Sequence, residues 1–119
     1  MELYEIAKRI EDKISLLERM RKEIRDRAEQ KAISQAAYDK ALAVCIIKLK
    51  NGQELELDGE KIQKPVQSIA EKIAKGICHG EKLEADKAEA LYKSLISNID
   101  SVKTEVNALQ SINRYLDHT

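Results

Sequence analysis

The sequence IAKGICHGEK, residues 73–82, places a Cys–His pair, Cys78 and His79, between two of the four glycines of the chain. Thiolate and imidazole are zinc ligands, and a thiol beside a base can act as a nucleophile. A structural zinc site needs four ligands, but the other cysteine and histidine, Cys45 and His118, lie at no paired spacing. A nucleophile would need a base elsewhere in the fold, because adjacent side chains generally point apart. We therefore expect no metal, no cofactor and no catalytic residue, and we interpret the protein as a non-enzyme.

The same segment is suited to binding an anion. A glycine at position 76 can end one helix in a left-handed conformation, and N–H groups at the start of the next helix can bind phosphate. The alternative is a purely structural turn that places Ile77 and Cys78 in the core. The predicted anion or nucleotide site consists of Lys75, Gly76, His79, Gly80 and Lys82, with Tyr92 as a residue that stacks on a base.

Composition limits both the fold and the partners. A chain of 119 residues fits one domain, and without Phe or Trp its core must consist mainly of Leu, Ile, Val and Ala. The 21 basic and 21 acidic residues cancel and are interspersed, so a nucleic-acid partner is not expected. The N-terminus MELYEIAKRIEDK does not resemble a signal peptide, and no apolar run reaches the length of a membrane span. We expect a cytoplasmic protein without a membrane partner.

Hydrophobic periodicity and turn signals divide the chain into four segments. Apolar residues at steps of three and four predict long helices at about 3–49 and 81–116, and a short helix at 65–76. Asn-Gly and Asp-Gly on either side of ELEL predict a hairpin or loop at 50–64. The run VCII, residues 44–47, is apolar on every side and is expected to be buried all round or to form a strand.

The predicted fold is mainly all-α, with two long antiparallel helices joined by the hairpin and the short helix. Each apolar stripe would be covered from one side only, so we expect a second copy to complete an oligomeric helical bundle. The predicted assembly is a homo-oligomer, a dimer or larger. Its interface residues are Leu3, Ile10, Leu17, Ile24, Leu95, Val102 and Leu109.

Three segments resemble small helical accessory proteins of bacteriophages and prophages: YDKALAVCIIKLKNG, IAKGICHGEKLEADKAEALYKSLI and LQSINRYLD. The resemblance covers Tyr38 to Asp117. It implies a protein made in the cytoplasm of an infected host cell, from a region that also holds recombination or counter-defence genes. It assigns no activity and no functional residue.

The leading hypothesis is therefore a non-enzymatic phage-type protein that counters host defence. It would either sequester a phosphate-bearing nucleotide signal or occlude a host defence protein. The alternatives are an accessory protein for nucleic-acid recombination or replication, and a structural coiled-coil adaptor.

Overall fold

The computed structural model describes residues 2–63 and 65–118. They form α1 (Leu3–Lys50), β1 (Leu55–Leu57), β2 (Glu60–Ile62), α2 (Gln67–Ile77) and α3 (His79–Asp117). The predicted class is confirmed: the fold is mainly helical, with a two-stranded sheet and a short helix between two long helices. Lys64, the last residue of the segment predicted as a hairpin or loop, lies outside the described residues.

The chain divides into two compact units, which we describe separately. Unit 1 contains the residues up to Ala28 and those from Leu91 onward, so it consists of parts of α1 and α3. Because its apolar residues recur at steps of three and four, each helix buries one face. A salt bridge joins the two helices, with Lys13 Nζ 2.8 Å from Glu105 Oε2. The buried core consists of Leu17, Met20, Leu95, Ile99, Val102 and Val106, with Leu16 and Ile24 packed against it.

The residues predicted to form an interface between copies differ in how far one chain covers them. Leu17, Leu95 and Val102 are buried within unit 1, and Ile24 packs against the same core. Leu3 remains exposed. The intramolecular burial leaves less apolar surface for a second copy than the periodicity alone suggests. The remaining two, Ile10 and Leu109, are half-buried.

Unit 2, Glu29–Ala90, contains the rest of the helices and the whole sheet. The two strands pair antiparallel, with Leu55 opposite Ile62, so the predicted hairpin is present. Asp58 and Gly59 form its turn at φ 51° and 83°, values that an Asp-Gly pair tolerates. Leu55 and Ile62 pack against the core, which supports a sheet too small to be stable alone. The buried residues of this core are Tyr38, Cys45, Leu49, Ala74, Cys78 and Ala85.

The predicted left-handed glycine at position 76 is wrong. Gly76 lies inside α2, which begins at Gln67 and continues to Ile77, and its φ is not positive. The N–H of Cys78 still donates to the carbonyl oxygen of Ala74 at 3.0 Å, so the chain turns only after this residue. Gly80 likewise lies inside α3, which begins two residues earlier than predicted. Among the described residues, the glycines with positive φ are Gly52 and Gly59.

The run VCII forms part of α1, and the expectation that it is buried all round is wrong. Cys45 is buried and Ile46 is half-buried, whereas Val44 and Ile47 are 41% and 58% exposed. Only one side of this part of α1 faces the core of unit 2, so a helix that is apolar on every side still presents part of that surface outward.

Candidate functional site

Cys78 is the single residue between α2 and α3, and backbone hydrogen bonds continue on both sides of it. Its N–H donates to Ala74, and its carbonyl oxygen accepts a hydrogen bond from the N–H of Lys82 at 3.1 Å. His79 Nδ1 lies 3.0 Å from the carbonyl oxygen of Gly76. Since a carbonyl only accepts, Nδ1 carries the hydrogen in this contact. The ring of His79 therefore caps the end of α2.

Both predicted anion-binding lysines have a carboxylate partner on their own helix. Lys75 Nζ lies 3.5 Å from Glu71 Oε1, and Lys82 Nζ lies 3.1 Å from Asp86 Oδ1. The hydrogen bond to Asp86, and next the charge of that carboxylate, raise the pKa of Lys82. A phosphate at this junction would have to compete with these carboxylates for the two ammonium groups.

The six predicted ligand-binding residues do not fall in one unit. Lys75, Gly76, His79, Gly80 and Lys82 all lie at the α2–α3 junction of unit 2, whereas Tyr92 belongs to unit 1. The ring of Tyr38 lies beside Lys82, with its centroid 5.3 Å from Nζ. Tyr38 is buried in the core, so this contact holds Lys82 against α1 and leaves little of the ring exposed for stacking.

Sequence reasoning missed a groove in unit 2, which we call the thiol groove. Its volume is about 530 Å³, and it is lined mostly by small and apolar side chains. Charged residues contribute only at Lys40, Lys48 and Glu81. The run VCII was the signal for it, because a helix with apolar residues on every side has more apolar surface than one core can cover. The lining residues are Ala37, Lys40, Ala41, Val44, Cys45, Lys48, Leu55, Ile77, Cys78 and Glu81.

Two thiols that are far apart in sequence meet at this groove. Cys45 and Cys78 are unbridged, both are buried, and each lies close enough to the other to affect its pKa. Burial raises the pKa of Cys45, and a hydrogen bond with Cys78 and the charge of Lys48 oppose that rise. Burial also raises the pKa of Cys78, and the charges of Cys45 and Glu81 act in the same direction. At neutral pH both residues are therefore mainly in the thiol form, and little of the nucleophilic thiolate is present.

Two further findings concern metals and membranes. Within the described ranges, no three His, Cys, Asp or Glu side chains are grouped as a metal-binding site would require. Over the same residues, no helix combines the length and the hydrophobicity needed to cross a membrane.

The thiol groove and the α2–α3 junction are thus the candidate sites, one apolar and one with paired charges. No protein-family model, no curated protein and no solved structure matches the chain.

Proposed function

We propose that this chain is a non-enzymatic, homo-oligomeric protein that acts by binding and occluding another protein. The proposal is based on the thiol groove. A partner helix can bury its apolar face in an open apolar groove that has exposed aliphatic residues beside it. Val44 lines this groove, and Ile47, three residues later on α1, extends the apolar surface.

The charges at the groove favour a partner of particular chemistry. Lys40 and Lys48 lie on α1, eight residues and so about 12 Å apart along the helix axis. An amphipathic helix with an apolar row and acidic residues two turns apart would match them. Glu81, which also lines the groove, would favour a basic residue of the partner opposite it.

The paired lysines at the α2–α3 junction argue against the nucleotide version of this function. Lys75 and Lys82 each have a carboxylate within salt-bridge distance. A phosphate would gain the attraction of the lysines only by giving up those pairs. Occlusion of a protein therefore has the better structural support.

In the proposed biological role, the chain is encoded by a phage and its partner is a defence protein in the host cytoplasm. This role rests on the resemblance to phage and prophage proteins. The homo-oligomer rests on the exposed apolar residues that one chain leaves uncovered, such as Leu3, Leu91 and Ile112. Sedimentation should show an assembly at micromolar concentration. A well-folded single chain under those conditions would refute this part of the proposal.

Affinity capture from host lysate with a matched pair of variants tests the binding function. Val44→Glu places a charge in the thiol groove, and Ile14→Glu places one on the unit 1 part of α1. Both residues are 41% exposed, so the cost of the substitution to the fold should be similar. We expect wild type and Ile14→Glu to retain a partner in stoichiometric amount, and Val44→Glu to lose it.

Two results would contradict the groove as the binding surface: capture of no partner by the wild type, or equal capture by both variants. Calorimetry with cyclic and linear nucleotides is the complementary measurement. Heat with any of them, abolished by Lys82→Ala, would favour the nucleotide version over the protein version.

A further inference from the structure

The two cysteines of the chain form a pair that their sequence positions do not suggest. Cys45 lies on α1 and Cys78 lies between α2 and α3, yet both belong to the core of unit 2. The two residues are 6% and 4% exposed, and both line the thiol groove. The fold thus brings two buried thiols from distant parts of the sequence into the same core.

The thiol groove gives a small molecule a route to this pair. Both cysteines line it, next to side chains as small as Ala37 and Ala41. A reagent of a few atoms can therefore approach sulfurs that the rest of unit 2 covers.

The charged residues around the pair make the two thiols unequal. Lys48 and the hydrogen bond from Cys78 both favour the ionised form of Cys45, whereas Glu81 disfavours the ionised form of Cys78. These neighbours favour the thiolate of Cys45 over that of Cys78, so we assign the first attack to Cys45 and the second to Cys78.

We propose that Cys45 and Cys78 are a reversible dithiol–disulfide pair that peroxide oxidises. The thiolate of Cys45 attacks one oxygen of hydrogen peroxide, the O–O bond breaks, and the leaving hydroxide takes up a proton to become water. Cys45 is then a sulfenic acid. The sulfur of Cys78 attacks the sulfur of Cys45, the S–OH bond breaks, and the hydroxyl leaves as water with the proton of Cys78. Two thiols are oxidised to one disulfide, and one peroxide is reduced to two waters.

The cross-link joins α1 directly to the α2–α3 junction. The loop that it closes contains the β-hairpin and the whole of α2. Closing a loop restricts the unfolded chain and so stabilises the folded one. Oxidation therefore fixes the wall of the thiol groove at two points and makes unit 2 harder to unfold.

The rate of oxidation should depend on pH in a defined direction. Because burial raises the pKa of both thiols above the ordinary 9.0, little thiolate is present at neutral pH. The reaction is slow there and accelerates as pH rises toward and beyond that value. The charged residues that act on the two sulfurs are Lys48 on α1 and Glu81 on α3.

Intact-mass spectrometry of the full chain tests the pair. Reduced protein is treated with hydrogen peroxide at about pH 7 and at about pH 9, denatured, and alkylated with iodoacetamide. We expect the loss of two hydrogen atoms from a single chain, no alkylation, faster conversion at the higher pH, and full reversal by dithiothreitol. Cys45→Ser and Cys78→Ser, each with one thiol, should show no such loss.

Three results would overturn the proposal: two alkylatable thiols after treatment, separate oxidation of each sulfur to a sulfinic acid, or a disulfide between two chains. Thermal unfolding of oxidised and reduced wild type is the second measurement and needs no variant. A higher midpoint for the oxidised protein supports a cross-link that fits the fold, and an equal or lower midpoint contradicts it.

Discussion

Replacing Gly80 by alanine should stabilise the protein, because this residue lies in α3 with no need for glycine. Its φ is not positive, and an added Cβ would meet no atom within 4 Å. Alanine loses less backbone entropy than glycine on entering a helix, and at compatible positions the gain is about 0.4–1 kcal/mol. We expect Gly80→Ala to raise the free energy of unfolding by that amount.

Gly76→Ala separates helix propensity from packing at a second helical glycine. The propensity gain is similar, but the new Cβ would lie 3.3 Å from Cδ2 and 3.6 Å from Cδ1 of Leu57 on β1. Leu57 would have to give way by a few tenths of an ångström, and an off-rotamer side chain costs about 0.5–1.5 kcal/mol. The two effects nearly cancel, so the net change should be close to zero.

Gly59→Ala completes the series with a cost and no gain. This glycine has φ 83° in the hairpin turn, and a left-handed backbone costs a residue with a Cβ about 1–2 kcal/mol. Urea unfolding followed by far-ultraviolet circular dichroism measures all three variants on one scale. The expected order of stability is Gly80→Ala, then Gly76→Ala, then Gly59→Ala.

Two outcomes of this series would refute the reasoning. A loss of stability in Gly80→Ala would mean that the backbone at this position is left-handed or that something contacts it. An equal gain in Gly76→Ala and Gly80→Ala would mean that Leu57 does not rest on α2, and the hairpin would then have to be supported elsewhere.

Two other substitutions test the cores of the two units. Leu49→Ala should lower the free energy of unfolding by about 2–5 kcal/mol in a denaturant titration, because Leu49 is 2% exposed. Ile47→Ala, at a residue that is 58% exposed, should change it by no more than about 0.5 kcal/mol. Similar losses in the two variants would contradict this packing. The ion pair of Lys13 and Glu105 is half-exposed, so a double-mutant cycle should give a coupling below about 1 kcal/mol that weakens with added salt, and a larger or salt-independent value would contradict that exposure.

The features that could be predicted from the sequence are those with a local cause. Repeats of apolar residues at steps of three and four fixed the two long helices, and the Asp58-Gly59 pair fixed the hairpin turn. Each depends on residues that are neighbours in the chain, so a single sequence contains the whole signal.

Features that depend on contacts between distant segments could not be predicted. Glycine often follows the last turn of a helix, so Gly76 was predicted to end one. In the structure it lies within α2, and its lack of a side chain lets Leu57 pack closely against that helix. The meeting of Cys45 with Cys78 depends on how α1 passes the α2–α3 junction, and no spacing between the two positions encodes it. The carboxylate partners of Lys75 and Lys82 were a detectable signal, since each lies four residues away on the same helix.

The difference between the two cores explains why the candidate site lies in unit 2. Unit 1 is packed by large aliphatic side chains at regular helical steps, and its groove of about 500 Å³ beside Lys13 and Glu105 is lined mostly by charged residues. Unit 2 uses small residues at its centre, among them Ala74, Ala85 and the two cysteines, and so brings three helices and a hairpin close together. At the surface of unit 2, the small side chains of Ala37 and Ala41 leave space, and this space is part of the thiol groove. Small side chains therefore account at once for the close contact of the thiols and for the apolar surface that a partner would cover, so a partner in the groove would also shield the thiols from oxidation.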